Sequence, residues 1–449
     1  MQRYSEYTAA PAAWLGDLPS HWDVEKIGSL FSERRTKVSD KDYPPLSVAK
    51  VGVVPQLATA VKTDAGDNRK LVCAGDFVIN SRSDRKGSCG VSEQDGSVSL
   101  INIVLTPRNQ WNSRYVHYLM RSHPFSEEYY RNGRGIVSDL WTTRYSEMKS
   151  ILLPIPPHNE QNQIVHFLDW KVSTINTLIN IKKREICEYE ECKKAEFFRT
   201  VTRGLNEDIG YKSTDATWVQ EIPKHWNMRR IKFLFDMRDE RNYRPLSDVN
   251  LISLYTRLGV VQNKDVEYTT GNRARNADGY KIVHKNDIIV NIILCWMGAI
   301  GMSNYDGVTS PAYDIYIPKE GVHSRYYHYL FRTKAFSGEC YKAGKGIMAM
   351  RWRTYSPQFR NISVPLPPLE EQIEIAAYLD ERCATIDQQI EITQQQIQQL
   401  RELKDRLIAD VVTGKIDVRN IQIPDYEYVD EEPDTVDNDE EPEEQEDAE

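Results

Sequence analysis

The most regular pattern in the chain is a seam of mostly apolar residues near its carboxyl end. The seam positions advance by alternating steps of three and four residues, and they are Ala376, Leu379, Cys383, Ile386, Ile390, Thr393, Ile397, Leu400, Lys404, Leu407 and Val411. An average spacing of 3.5 residues keeps them on one face of a helix and is typical of a coiled coil. The pattern predicts a long spacer helix over residues 368–416.

A less regular copy of this seam occurs earlier, at Val165, Leu168, Val172, Ile175, Ile179, Lys182, Ile186 and Tyr189. It predicts a first spacer helix over residues 158–204. Neither stretch contains proline, and glycine returns only at Gly204 and Gly414, where the end of a helix favours it. We expect an antiparallel coiled coil that holds the preceding modules at opposite ends. The alternative is two separate amphipathic helices, each packed on its own module.

The sequence ahead of each helix has a different texture. Short β-branched and aromatic runs such as FVIN and YDIYIP alternate with Gly, Asn and Asp. Such runs predict short strands in a compact module with one or two helices. The predicted fold class is α+β, with two tandem α/β modules over residues 1–157 and 205–367, each followed by a long helix.

The two modules and their helices are two copies of one sequence. The opening WLGDLPSHWDVEKIGSLF at 14–31 returns as WVQEIPKHWNMRRIKFLF at 218–235. An offset of 211 residues then relates further pairs, namely DFVIN (76–80) and DIIVN (287–291), YVHYLMR (115–121) and YYHYLFR (326–332), and PIPPHNEQNQI (154–164) and PLPPLEEQIEI (365–375). Segments 132–146 and 343–356 also match, with a slip of one residue. A repeat of this length predicts one architecture built twice.

Charge is distributed unevenly along the chain. It has 57 Lys and Arg against 66 Asp and Glu, but residues 421–449 hold 15 of the acidic residues and none of the basic ones. A block of like charge with little apolar content cannot offset its ordering entropy, so we predict a disordered acidic tail over residues 417–449. Such a tail solubilises the protein, or it competes with nucleic acid for basic surfaces.

Composition excludes several classes of protein. No apolar run approaches the 18 or so residues that span a bilayer, and the first residues lack the core of a signal peptide, so we expect a cytoplasmic protein without membrane partners. The seven cysteines are scattered, with no C-x-x-C pair and no accompanying histidine cluster. We expect reduced thiols and no structural metal.

Two similar modules on a rigid spacer suit a ligand with two-fold symmetry of its own, such as duplex DNA. Basic residues interleave with aromatic ones in both modules, and arginine and lysine neutralise phosphates and bind guanine edges. The candidate DNA-binding residues are Arg82, Arg85, Lys86, Arg131, Arg134 and Arg144 in the first module and Arg273, Arg275, Lys342, Lys345, Arg351 and Arg353 in the second. Any single one of them has the alternative interpretation of a solvated surface charge.

The copies share their scaffold but not the side chains on it. SRSDRKG at 81–87 corresponds to IILCWMG at 292–298, although the glycines and Asp-Gly turns around them match. This pattern fits two readers of different half-sites. Drift after duplication is the alternative.

Three motifs, each present twice, carry a family resemblance. They are the W-x-x-x-[LI]-P-x-H-W opening, the GDFVIN-like strand with spaced glycines, and the P-[IL]-P-P-x-x-E-Q run into a long helix, which ends at Gln161 and at Gln372. Together they resemble the specificity subunit of type I restriction-modification systems over nearly all of residues 14–416. The acidic tail lies outside that resemblance.

The resemblance implies a fold and a function. Two target-recognition domains would each read half of a split, asymmetric sequence in double-stranded DNA, and the coiled coil would fix the gap and dock two methyltransferase subunits. Restriction and translocase subunits would complete the complex. S-adenosylmethionine, ATP and Mg²⁺ would serve those partners, leaving this chain non-catalytic and without a cofactor. Base-contacting residues vary with the target in this family, so the resemblance assigns none here.

Missing motifs agree with that division of labour. The sequence contains no G-x-x-x-x-G-K-[ST] loop for ATP and no Asn-Pro-Pro-aromatic tetrapeptide of an amino-methyltransferase. The recurring histidines His21, His117, His225 and His328 lie beside aromatic or apolar residues, which favours structural roles. Two rival functions stay open: a nuclease using Asp76 and Asp287, and a protein-binding coiled-coil scaffold.

Overall fold

The structure is a computed structural model, and it describes residues 2–56, 66–82, 86–135, 141–256, 258–265, 276–346 and 352–434. The chain divides into two compact units. The first comprises residues 1–183 and 395–432, and the second comprises residues 184–394 and 433–449. No helix among the described residues is long and apolar enough to cross a membrane.

The first unit is built on short antiparallel strands. They are β1 (Tyr7–Ala9), β2 (Asp17–Pro19), β3 (Asp23–Lys26), β4 (Phe31–Glu33), β5 (Lys37–Val38), β6 (Leu46–Ala49), β7 (Gly52–Pro55), β8 (Arg69–Val72), β9 (Phe77–Asn80), β10 (Cys89–Val91), β11 (Gly96–Val98), β12 (Asn102–Pro107) and β13 (Leu152–Ile155). Its helices are α1 (Ile27–Leu30), α2 (Ser113–Arg121), α3 (His123–Arg131), α4 (Tyr145–Met148) and the start of the long α5 (His158–Arg203).

A four-stranded sheet in the order β10–β9–β12–β4 forms the centre of this unit. Strand β9 is buried along its whole length, which explains why the predicted FVIN run is continuously apolar rather than alternating. Its Val78 pairs with Val104 of β12, and both lie in an apolar cluster with Leu46, Val72 and Val98. Five side chains of helix α2 are buried, among them Tyr115 and Leu119.

The second unit repeats these elements. Its strands are β14 (Tyr211–Ser213), β15 (Glu221–Pro223), β16 (Asn227–Arg230), β17 (Phe235–Arg238), β18 (Ile252–Tyr255), β19 (Gly259–Gln262), β20 (Lys281–Val283), β21 (Ile288–Asn291), β22 (Ile300–Met302), β23 (Gly307–Thr309), β24 (Tyr313–Pro318) and β25 (Ser363–Leu366). Its helices are α6 (Ser324–Phe331), α7 (Lys334–Ala343), α8 (Ser356–Phe359) and the start of the long α9 (Leu369–Val412). The central sheet has the order β17–β24–β21–β22, the same as in the first unit.

The single offset of 211 residues extends farther along the chain than the sequence comparison indicated. Helices α4 and α8 begin at Tyr145 and Ser356, and β13 and β25 follow at the same offset of 211 residues. The slip of one residue predicted between segments 132–146 and 343–356 is therefore wrong. It arose because the two Tyr-Ser pairs look alike, whereas the structure places Arg144 and Tyr355 equivalently, each immediately before its short helix.

The two long helices run antiparallel within each unit. In the first unit the Lys404 Nζ donates to the Asn176 Oδ1 at 3.1 Å, and in the second the Lys193 Nζ lies 2.5 Å from the Asp387 Oδ1. Seam residues such as Ile179 and Ile386 are buried. The predicted fold of two α/β modules with two long, antiparallel helices is confirmed.

The His-Trp opening of each module binds the start of its own long helix. In the first unit the Trp22 Nε1 donates to the Glu160 Oε1 at 3.1 Å, and the His21 Nε2 lies 2.8 Å from the Glu160 Oε2. The Tyr4 hydroxyl also donates to this carboxylate. In the second unit the Trp226 Nε1 donates to the Glu371 Oε2 at 2.8 Å, and the His225 Nε2 lies 2.6 Å from the Oε1. The motifs that recur together are thus bonded together.

The glutamine of each P-P-x-x-E-Q run fixes the connection into the helix. The Gln161 Nε2 donates to the Pro156 carbonyl at 3.0 Å, and its Oε1 accepts from the Asn112 backbone N–H at 3.1 Å. The Gln372 Nε2 donates to the Pro367 carbonyl at 2.9 Å, and its Oε1 accepts from the His323 N–H at 2.8 Å. Both glutamines are buried, so their amides satisfy backbone groups that water cannot reach.

We expect Glu160→Ala to destabilise its unit more than Glu371→Ala destabilises the other. The Glu160 side chain is 4% exposed and serves three donors, whereas the Glu371 side chain is 33% exposed and serves two. Removing one partner of a buried charged network costs about 3 kcal/mol, and a partly exposed one costs about 1 kcal/mol. Calorimetric unfolding of both variants tests this, and equal losses would contradict it.

The acidic segment differs from its prediction. Residues 421–432 lie in extended conformation against α5 in the first unit, held by hydrogen bonds from Ser173, Asn176 and Asn180 and by ion pairs of Glu431. Composition predicted disorder from residue 417 because it weighs a segment alone, whereas here another helix supplies the partners for its backbone and charges. The rest of the predicted tail, 435–449, lies outside the described residues.

Candidate nucleic-acid interface

A narrow hairpin neck in the first unit brings two stretches of candidate residues together. The Arg134 and Thr142 backbones exchange hydrogen bonds of 2.9 and 3.0 Å, and Thr142 also forms a β-bridge with Arg82, just beyond β9. The next residue, Thr143, donates its N–H to the Ser81 carbonyl at 3.0 Å. Arg82, Arg134 and Arg144 are exposed at this neck.

An aromatic pair supports the neck. The Trp141 and Tyr130 rings lie 5.9 Å apart, and the Trp141 Nε1 donates to the Tyr130 carbonyl at 2.9 Å. The Lys86 ammonium lies 5.0 Å from the centre of the Tyr130 ring, within the range of a cation–π interaction. Tyr130 keeps 36% of its surface exposed, so a π face and positive charge occur side by side on this surface.

The second unit builds the same neck from the equivalent residues. The Lys345 and Arg353 backbones exchange hydrogen bonds of 2.9 and 3.0 Å, and the Thr354 N–H donates to the Ile292 carbonyl at 2.8 Å. The Trp352 ring stacks on Tyr341 at 4.7 Å, and its Nε1 donates to the Tyr341 carbonyl at 3.0 Å. A loop scaffold that recurs with different basic residues is a common way to vary what a surface binds.

Glycine is required at each neck. A Cβ on Gly133 would lie 2.3 Å from the Trp141 Nε1, and a Cβ on Gly344 would lie 2.4 Å from the Trp352 Nε1. Real atoms do not approach so closely, so the first glycine of each recurring G-x-G reflects the packing of the tryptophan ring against the backbone. The sequence comparison missed the buried Thr143 and Thr354, whose hydroxyls donate to backbone carbonyls at 3.0 and 2.9 Å. The W-x-T motif, which occurs in both copies, is the sequence signal that could have identified these threonines.

Three candidates are engaged in surface ion pairs. Arg131 binds the Glu128 carboxylate through two hydrogen bonds of 2.9 and 2.8 Å, which raise its pKa. Lys86 pairs with Glu127 at 2.5 Å, and Lys342 with Glu339 at 3.3 Å. The Lys86 and Lys342 pairs lie at the surface, contribute little and yield readily to a phosphate, whereas the Glu128 carboxylate that binds Arg131 is buried. The candidates Arg85, Arg273, Arg275 and Arg351 lie outside the described residues.

The two aspartates of the nuclease alternative hold turns together. The buried Asp76 carboxylate accepts from Arg34 at 2.8 and 3.1 Å, from the Thr106 hydroxyl at 2.8 Å and from the Cys73 N–H at 2.8 Å. Asp287 accepts from Arg238 and from the His284 N–H in the same way. Within the described ranges, no cluster of three or more His, Cys, Asp or Glu could hold a metal ion.

The recurring histidines of α2 and α6 are packed and neutral. Burial, followed by the charges of Arg121 and Arg114, lowers the pKa of His117 to about 3. Burial also lowers the pKa of His328 well below its ordinary value. The Nδ1 of His328 accepts from the Met302 N–H at 3.1 Å, which requires an unprotonated nitrogen there. These contacts describe structural side chains.

We expect the stability of both units to fall as the pH drops from about 6.5 toward 3. The unfolded histidine binds its proton near pH 6.5, whereas the folded His117 binds one only near pH 3. Stability is therefore complete above pH 6.5 and falls by about 1.4 kcal/mol per pH unit per histidine below it. Denaturant unfolding at pH 7 and pH 5 measures this. His117→Gln should flatten the slope and the exposed His158→Gln should not, and an equal slope in all three proteins would contradict the assignment.

Comparisons with known proteins agree with this architecture. The family model described as the type I restriction modification DNA specificity domain matches residues 223–402. Two relatives from Methanocaldococcus jannaschii, the type I restriction enzyme MjaVIII specificity subunit and the putative MjaX specificity subunit, are 25% and 22% identical over 90% of this chain. The alignments cover 95% and 96% of those relatives.

The fold recurs in a solved structure. A chain from a study of complex assembly and conformational transition of the type I R-M system is 14% identical, with a TM-score of 0.62 over 89% of this chain and 99% of that one. The duplicated modules and the doubled helix start agree with the family match and the two relatives. The chain is similar in sequence to specificity subunits of type I restriction-modification systems.

Proposed function

We propose that this chain reads a bipartite, asymmetric DNA target, one half-site through each module. The observation that carries the proposal is the hairpin neck. Equivalent residues form it in both modules, but the side chains around it differ. Arginines at residues 82 and 134 flank the first neck, and Lys345 and Arg353 form the second. Arginine and lysine are the residues that most often contact phosphates and guanine.

The residues beside each neck differ enough to read different bases. After β9 the first unit continues with the polar Ser81 and Arg82, whereas after β21 the second unit continues into an apolar turn at Cys295–Met297. Because the sheets beneath them have the same strand order, the difference lies in the surface rather than in the scaffold. An asymmetric target follows from such a pair of readers.

The long helices would set the gap between the half-sites and dock methyltransferase subunits, and through them restriction and translocase subunits. The antiparallel contacts within each unit and the solved relative's origin in a type I complex support this. In this division of labour the chain is non-catalytic, and S-adenosylmethionine, ATP and Mg²⁺ serve the partners. The buried, fully engaged Asp76 agrees with it, because its oxygens are already bound by protein donors.

A map of methylated adenines in cells that express this chain with its neighbouring methyltransferase tests the proposal. We expect a split motif of two short half-sites with a fixed gap. Replacing residues 134–142 with 345–353, which are equal in length, should change one half-site and leave the other intact. The second half-site thus reports correct assembly within the same experiment. A graft that leaves both half-sites unchanged would contradict reading at the neck.

A further inference from the structure

A stripe of polar side chains on α5 binds the backbone of the acidic C-terminal segment. Ser173, Asn176 and Asn180 are each 3% exposed and lie at spacings of three and four, on one face of the helix. The Ser173 hydroxyl donates to the Glu427 carbonyl and accepts from the Val429 N–H, both at 2.9 Å. The Asn176 Nδ2 donates to the Val429 carbonyl at 3.0 Å. The Asn180 side chain donates to the Asp430 carbonyl and accepts from the Glu432 N–H, both at 2.9 Å. Such a stripe recognises an extended backbone rather than a particular sequence.

A basic cluster at the end of the stripe recognises one acidic side chain. The Glu431 carboxylate lies 3.4 Å from the Lys183 Nζ of α5 and 2.7 and 2.5 Å from Arg401 and Lys404 of α9. Burial would raise the pKa of Glu431, but the hydrogen bonds from Lys404 and Arg401 outweigh it and lower that pKa. Upstream, the Tyr428 ring lies 4.9 Å from the Arg114 guanidinium. The bound segment therefore touches both long helices within the first unit.

The second copy of the helix does not contain this site. At the offset of 211 residues, the three stripe positions are Ala384, Asp387 and Glu391, and Lys183 corresponds to Gln394. Two of these residues are negative and would repel an acidic segment. Because the rest of the repeat keeps its architecture, the stripe is a feature of the first helix and of the segment that binds there.

The segment is held almost entirely by polar contacts. Its side chains at residues 424–428 are exposed, and it adds little to the apolar core. Net hydrogen-bond energies are small and are offset by the entropy of ordering a chain, so such a segment binds reversibly. Its interactions are those of a bound peptide.

We propose that the Ser173–Asn176–Asn180 stripe and the Lys183–Arg401–Lys404 cluster form a binding site for an extended acidic peptide, with residues 421–432 as its intramolecular ligand. Bound, the ligand links α5 to the C-terminal part of α9. Released, it leaves the stripe and the cluster open to another acidic segment. This site is separate from the necks, and its existence does not depend on DNA reading.

A labelled synthetic peptide of residues 421–434, added to the full-length protein, tests the site by fluorescence anisotropy. Glu431→Gln in the protein should weaken the binding of its own C-terminal segment. The variant should therefore bind the peptide at least about tenfold more tightly than the wild type does. Glu427→Gln is the matched control, because it removes the same charge from an exposed side chain. It should behave like the wild type.

A second pair of variants keeps the test decisive. In the Glu431→Gln protein, adding Asn176→Leu and Asn180→Leu should abolish peptide binding. Hydrogen exchange of residues 422–432 should be at least about tenfold faster in Glu431→Gln than in Glu427→Gln. Equal peptide affinity for the wild type and Glu431→Gln, or binding that survives loss of both asparagines, would overturn the proposal.

Discussion

Removal of one heptad from both long helices, residues 186–192 together with 388–394, should shorten the gap in the DNA target by up to about three base pairs. Seven helical residues rise about 10 Å, and a base pair rises about 3.4 Å. Both deleted segments lie in the second unit and face each other in the antiparallel register that Lys193 and Asp387 define. A heptad keeps the seam in phase, so both half-sites should persist.

The shortened target should also be methylated less efficiently. Removing three base pairs rotates one half-site by about 100° around the duplex axis relative to the other. The shortened helices do not rotate the modules by the same angle, so the fit to the DNA is poorer. Mapping methylated adenines gives both the gap and its occupancy. Replacing the same two heptads with other seven-residue sequences of the same seam pattern is the length-matched control and should leave the gap unchanged. An unchanged gap after the deletion would refute the spacer role.

The affinity of the assembled complex for its DNA target should fall about 10³-fold between 50 and 200 mM salt. This loss corresponds to release of counterions from about six phosphates. Arg134→Gln and its counterpart Lys345→Gln should each reduce the slope of log affinity against log salt by about one. Titrations at four salt concentrations would measure these slopes.

A matched control separates local from general charge effects. Lys194→Gln removes a positive charge that is 63% exposed on α5 and pairs with Glu191. It should leave the slope unchanged. A complex whose binding shows no salt dependence would instead favour the protein-binding scaffold, because peptide recognition releases no condensed counterions.

The fold could be predicted because its signals are periodic and doubled. The 3.5-residue seam located both long helices, and the repeat showed that Trp22 and Glu160 recur together. It could not show that they touch, because recurrence carries no distance. That contact depends on α5 turning Glu160 toward the module opening, which only the packed structure reveals.

The site was predicted less completely for a physical reason. The loop residues differ between the copies, so Arg82 aligns with Ile293, just ahead of an apolar turn, rather than with a basic residue. The bound acidic segment was missed because composition treats it as an isolated chain. The available signal was on α5, where Ser173, Asn176 and Asn180 adjoin the apolar seam at helical spacing.

The His–Trp–Glu connection has a consequence for the exchange of modules between related chains. Each module binds its helix through the same groups, Glu160 with His21 and Trp22 in one copy and Glu371 with His225 and Trp226 in the other. A coding segment that runs from the His-Trp opening through the start of the long helix carries both sides of this connection. If each module reads one half-site as proposed, exchange of such a segment should replace that half-site without a compensating change in the rest of the helix.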